Sequence, residues 1–293
     1  MIRTLDPRFP KPVLYQAELY PEFRLDPLPE GGQKGNMVDL SRRWPLGLGT
    51  NRWWIPVLVA IAAIGVAIAV DRRLSVWGQG LRPDIVDFFR ELTRYGESDW
   101  ILIPAGVLLV VTVAVALIVR WKLMRTMLWQ FSALYAFIFF GVGVPSLVTT
   151  LFKRLIGRGR PGNFDEFGLL HFQLNWDRYS FQSFPSGHAT TAFALAIVLA
   201  FLAPRWTYVA LVFGVVVAIS RVVLGEHYPS DVVAGAIVGT LGAYAVRWFF
   251  ASRGWGFRVM PDGSIRQRAM SSLRRYLILK RRGTAQGPQT SRP

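Results

Sequence analysis

This 293-residue chain contains only three histidines, and two of them, His188 and His227, stand in short runs rich in cations and small residues. The runs are 153–161 (K-R-L-I-G-R-G-R-P), 185–188 (P-S-G-H) and 220–231 (S-R-V-V-L-G-E-H-Y-P-S-D). Among their residues are the fixed cations Lys153, Arg160 and Arg221, two imidazoles and the carboxylate of Asp231. That set can hold a phosphoryl group, attack its phosphorus and protonate what leaves. Each residue alone also has a plain structural reading: Arg221 snorkelling, Ser186 capping a helix, His227 and Asp231 forming a surface pair.

The elements that must position these residues are apolar. Hydrophobic residues make up 52% of the chain. Runs with few or no charges occur at 54–70, 101–119, 127–152, 189–203, 206–220 and 232–246. Several approach the roughly 20 residues a helix needs to cross a hydrocarbon core, so an all-α bundle of six transmembrane helices is expected. Between the first two, Ile85, Phe88, Phe89 and Leu92 recur at helical spacing among Asp84, Asp87, Arg90, Glu91 and Arg94. This predicts an amphipathic interfacial helix, either purely structural or forming a rim that guides a lipid inward. Gly235, Gly239 and Gly242 in the sixth span, and Ala192, Ala194, Ala196 and Ala200 in the fourth, suit close helix packing.

A net charge of +16 raises the question of a nucleic-acid partner. Six spans with both termini on one side answer it differently. That side carries 23 Lys/Arg and the other 11, a bias that places the first in the cytoplasm and makes nucleic-acid binding the lesser reading. Three parts follow: a cytoplasmic arm at 1–52, a membrane domain at 53–251 and a basic cytoplasmic tail at 252–293, whose stretch 266–282 suits a helix on an anionic leaflet. The first 50 residues show no cleavable signal peptide, and without cysteine no disulfide braces the outer loops.

The three runs resemble the type 2 phosphatidic acid phosphatase superfamily, whose pattern is K-x6-R-P, then P-S-G-H, then S-R-x5-H-x3-D. Lys153, Arg160 and Pro161 match the first block, Pro185, Ser186, Gly187 and His188 the second, and Ser220, Arg221, His227 and Asp231 the third. The resemblance implies a lipid or polyprenyl phosphate substrate; undecaprenyl diphosphate, lipid A phosphates, phosphatidylglycerol phosphate and phosphatidic acid are the candidates. His227 is then the expected nucleophile, Asp231 its orienting carboxylate and His188 the proton donor. Lys153, Arg160, Ser186, Gly187 and Arg221 form the expected phosphate cradle, with no metal or other cofactor required. Phosphotransfer to a second lipid, or lipid-phosphate binding or transport without catalysis, would use the same residues. His171 reads as an ordinary loop histidine. The loop 162–184, rich in aromatics, is expected to cap the site or sit among headgroups.

Overall fold

The computed structural model describes residues 40–45, 48, 51–174 and 178–268. Seven helices carry the fold: α1 (Trp54–Gln79), α2 (Pro83–Thr93), α3 (Asp99–Ile118), α4 (Lys122–Ile156), α5 (Gly187–Leu202), α6 (Thr207–Val223) and α7 (Pro229–Ser252). Among the described residues, five helical stretches are long and apolar enough to cross a membrane: Trp54–Gln79, Pro83–Ile118, Lys122–Ile156, Pro204–Val223 and Pro229–Ser252. The sixth expected span, α5, has 16 residues, and most of its side chains are buried. It is the central post of the bundle, so its neighbours rather than lipid cover it.

The first span runs past its expected end at Val70 to Gln79. Asp71 therefore lies inside a helix, 0% exposed, and not in the following loop. The amphipathic helix forms as α2, and the one-turn 3-10 helix Arg94–Gly96 separates it from α3. Phe88, Tyr95 and Trp100 stay exposed along this stretch.

Glycines let α5 and α7 touch. A Cβ at Gly235 would lie 2.4 Å from the Ser186 carbonyl oxygen, and one at Gly239 would lie 2.3 Å from that of Thr190. The small residues of α7 thus do the close packing that lipid does not drive. Hydroxyl pairs add specific contacts between α4 and α5: Thr149 to Thr190 at 2.9 Å and Ser146 to Thr191 at 3.2 Å. The end of α4 is set by Gly157, whose φ of +63° and approach to the Gln173 carbonyl leave no room for a side chain.

At the opposite end of the bundle, Phe137, Phe201, Tyr244 and Phe250 form an aromatic core. An antiparallel hairpin, β1 (Phe257–Val259) and β2 (Ile265–Gln267), inserts Phe257 and Ile265 into it. Leu40 and Trp44 pack on the same cluster. Arg247 of α7, 2% exposed, donates to the Leu40 and Arg42 carbonyls and lies over the Phe201 ring at 3.9 Å. Of the expected surface helix at 266–282, Arg266 and Gln267 belong to β2 and residues from 269 onward lie outside the described residues, as do residues 1–39 of the expected arm.

Candidate functional site

Helix termini and the turns beside them bring the motif residues to one end of the bundle. Lys153 ends α4, Ser186 and His188 begin α5, Arg221 ends α6, and Asp231 sits in the first turn of α7. Pro229 at the first helical position starts α7 after His227, so the imidazole lies on the turn and Asp231 on the helix. Main-chain bonds tie the second block to the third, Ser186 N–H donating to the Asp231 carbonyl at 2.9 Å, and the first block to the loop before the second, Arg160 N–H donating to the Ser180 carbonyl at 2.9 Å.

Ser186 is buried and caps α5, with its hydroxyl 3.5 Å from the Ala189 N–H. Gly187 matters for space: a Cβ there would lie 3.3 Å from the Lys153 amine, which hangs over the start of α5. Arg160 and Arg221, from different blocks, converge on one atom. Arg160 donates to Glu226 Oε2, and Arg221 Nη2 lies 3.7 Å from it. The Arg160 guanidinium also stacks on the exposed Tyr179 ring at 3.6 Å, whose hydroxyl reaches the same Glu226 oxygen at 3.2 Å. An anion therefore occupies the cradle one residue before His227, and it belongs to the protein.

His227 is 1% exposed. Burial, and then the positive charges of Lys153, Arg160 and Arg221, hold its imidazole neutral well below the ordinary histidine range, outweighing the Ser183 main chain that favours the charged form. A neutral ring keeps a free lone pair for attack. His188, half-buried, lies within electrostatic reach of His227, Lys153, Arg160 and Arg221.

Asp231 is less simply arranged than its spacing suggests. Its Oδ2 lies 3.7 Å from His227 Nδ1, longer than a hydrogen bond. That oxygen accepts from the Tyr228 N–H at 2.9 Å and from the Ser183 hydroxyl, while Oδ1 accepts from Arg158 Nη1 at 2.6 Å. Arg158 and Asp71 carry no role in the motif pattern, yet both are buried. Arg158 lies inside the first block, and Asp71 is the only acidic residue in α1, so an ionisable group in an apolar helix was the available signal.

The loop between α1 and α3 also reaches the site. Arg221 Nη1 donates to the Thr93 hydroxyl at 3.0 Å. A Cβ at Gly96 would lie 2.9 Å from His188 Cδ2. The end of α2 and the 3-10 turn after it thus pack against two of these residues, Arg221 and His188. His171 faces the Phe181 ring, centroids 5.7 Å apart.

The PAP2 superfamily model matches residues 134–255, which include all three motif blocks. The chain is 33% identical over 236 residues to a lipid A 1-phosphatase of Rhizobium johnstonii, an alignment covering 77% of this chain and 93% of that protein. It is 28% identical over 185 residues to a lipid A 4'-phosphatase of Bacteroides thetaiotaomicron, covering 60% and 74%. Among solved structures it is similar to the transmembrane PAP2-type phosphatidylglycerolphosphate phosphatase of Bacillus subtilis, with TM-score 0.44, 27% identity and coverage of 67% and 92%. With its apolar helices and its lengthwise similarity to a lipid phosphatase, the chain is a membrane protein and a phosphoric ester hydrolase that belongs to the PAP2 superfamily.

Proposed function

We propose that this membrane lipid phosphatase removes a phosphate from the saccharide headgroup of a lipid A-type glycolipid, at the extracytoplasmic face, through a phosphohistidine. The observation that carries the phosphate chemistry is the convergence of Arg160 and Arg221 on one anionic oxygen beside a buried, neutral His227. The choice of lipid rests on the similarity to the lipid A 1-phosphatase, which extends over nearly all of that protein.

In the forward step, the unprotonated ring nitrogen of His227 attacks phosphorus as the P–O bond to the lipid breaks, and His188 gives a proton to the departing oxygen. Arg160, Arg221 and Lys153 neutralise the phosphoryl oxygens, and the N–H groups at the start of α5 face the same charge. Asp231 stabilises the positive ring that results. Water then attacks the phosphohistidine, His188 takes its proton, and inorganic phosphate leaves. The exposed rings of Phe88, Tyr95, Trp100 and Tyr179 near this end suit an amphiphile entering from the headgroup layer. The Lys/Arg bias supports placing this end outside the cytoplasm.

A phosphate-release panel tests the reading: lipid A, undecaprenyl diphosphate, phosphatidylglycerol phosphate and phosphatidic acid in detergent micelles, with and without EDTA. Lipid A is expected to be the best substrate. His227→Ala is expected to lower release by about 10³-fold or more. A wild type inactive on all four lipids, or an active His227→Ala, defeats the phosphatase reading, and preference for another lipid defeats the choice of substrate.

A further inference from the structure

Two carboxylates and one guanidinium, from three distant parts of the chain, are sealed together beneath the site. Asp71 of α1 and Asp231 of α7 are each 0% exposed, and Arg158 between them is 2% exposed. Arg158 Nη1 donates to Asp231 Oδ1 at 2.6 Å and to the Ser230 hydroxyl at 2.7 Å, while Nη2 donates to Asp71 Oδ2 at 2.9 Å. Asp71 accepts further from the Ser230 hydroxyl at 2.6 Å and the Ser230 N–H at 2.9 Å. The guanidinium plane lies over the Tyr228 ring at 4.4 Å. A planar cation divided between two carboxylates needs this forked geometry, which an ammonium cannot reproduce.

We infer that Arg158, clamped by Asp71, is a positioning residue that acts on His227 through Asp231, an assignment that rests on the phosphohistidine reading above. Counted formally, the cluster carries two negative charges and one positive, and it leaves Asp231 Oδ2 3.7 Å from His227 Nδ1. When His227 forms its bond to phosphorus the ring gains a positive charge, which supplies the second cation. Arg158 holds one edge of Asp231 and Ser183 with Tyr228 N–H the other, so the carboxylate meets the charged ring without rotating. The first span, which contributes no motif residue, is thereby part of the reaction's framework.

The test is a double-mutant cycle on the full-length protein in detergent. Arg158→Gln is expected to lower kcat by about 10²-fold with KM changed by less than about threefold. Arg158→Lys is expected to recover about tenfold of that, because charge returns without the fork. In an Asp231→Asn background, Arg158→Gln should add less than about threefold, since its effect passes through Asp231. Asp71→Asn, which keeps the shape of the clamp, covers the case in which Arg158→Gln does not fold and is expected to lower kcat about tenfold. Retained kcat in both Arg158→Gln and Asp71→Asn, or losses that multiply in full, overturns the inference.

A second readout separates this from failure of the phosphatase reading. With three histidines, ¹⁵N-histidine labelling gives three assignable imidazoles. Arg158→Lys or Asp71→Asn should move the His227 ring nitrogens and leave those of His171 in place, whether or not any lipid is hydrolysed. An unmoved His227 overturns the inference even if wild type releases phosphate. A wild type without phosphatase activity overturns the phosphatase reading, and with it the kinetic role of Arg158, while a moved His227 still establishes the structural coupling.

Discussion

Arg158 and Arg247 are both 2% exposed, and each stands near one end of α7 against different described neighbours. Arg158 bridges two buried carboxylates and lies over one ring, Tyr228. Arg247 donates to the carbonyls of Leu40 and Arg42 and lies over the Phe201 and Tyr244 rings, which share a cluster with Phe257 and Ile265 of the hairpin β1–β2. Through Asp231, Arg158 is coupled to any charge that changes on His227, whereas the carbonyls and rings beside Arg247 lie at the other end of the helix, away from that charge. On the proposed mechanism one end of α7 is arranged around a charge that comes and goes, and the other ties Leu40 and Arg42 to the bundle. A helix of 24 residues spans about 36 Å, so the two ends lie about a membrane apart.

The sharpest way to break this contrast is to change each end without removing bulk. Arg221→Lys keeps the charge but loses the fork that reaches Glu226 and Thr93, and kcat/KM should fall about 10²–10³-fold with little change in thermal midpoint. Arg247→Met should do the reverse. Two carbonyls lose a charged donor, stability falls by about 2–4 kcal/mol, and the phosphate release of the folded fraction stays within about twofold of wild type. Thermal unfolding and steady-state rates on the same preparations decide it. A large kcat loss in Arg247→Met would mean the ends are coupled along α7.

Gly96→Ala probes the site end from outside the motifs. The added methyl would lie 2.6 Å from Val217 Cγ1 and 2.9 Å from His188 Cδ2, so either Val217 or His188 must shift. Displacing His188, the proposed proton donor, by a fraction of an ångström should cost about 10–100-fold in kcat, with substrate affinity nearly unchanged. If Val217 alone gives way, the loss disappears and the brace between the α2 end and His188 is not functional.

These variants also mark how much was legible in the chain. Lys153, Arg160, His188, Arg221, His227 and Asp231 could be grouped because each block has its own spacing and falls at a span end, so topology alone brings the blocks together. The Asp71–Arg158 contact joins residues 87 positions apart, and neither helical period nor spacing encodes such a pairing. Asp71 was further hidden by the placement of the first span's end at Val70. The three-residue strands β1 and β2 carry too few alternating positions to register as strands. Glu226 lay in full view within the third block, but only the fold shows that its side chain turns back onto Arg160 and Arg221.

That turn makes a smaller prediction. Glu226 competes with any phosphate for the two arginines, so Glu226→Gln should tighten inhibition by inorganic phosphate, about three- to tenfold in Ki. Product release should slow in step, so kcat need not rise with affinity. An unchanged Ki would mean that phosphate binds away from Arg160 and Arg221, and the cradle would have to be redrawn.

The smallest expected effect is in how stability follows pH, and it separates the two ends again. Burial and three nearby cations keep His227 neutral well below the histidine reference of about 6.5. Between that reference and its folded-state value, the unfolded chain binds a proton that the folded chain refuses. The contribution is fully present above about pH 6.5 and is lost as pH falls toward the folded value. Arg247→Met leaves His227 in place, so the stability curve of that variant should keep its fall below about pH 6.5. His227→Ala should flatten the curve below about pH 6.5, because the residue that refuses the proton is gone. The same neutrality means that kcat/KM, corrected for the substrate's own phosphate ionisation, should show no His227 limb near pH 6.5. A limb there would place the imidazole in water, with its charge free to change before phosphate arrives, and the distinction between a reactive and a fastening end of α7 would lose its main support.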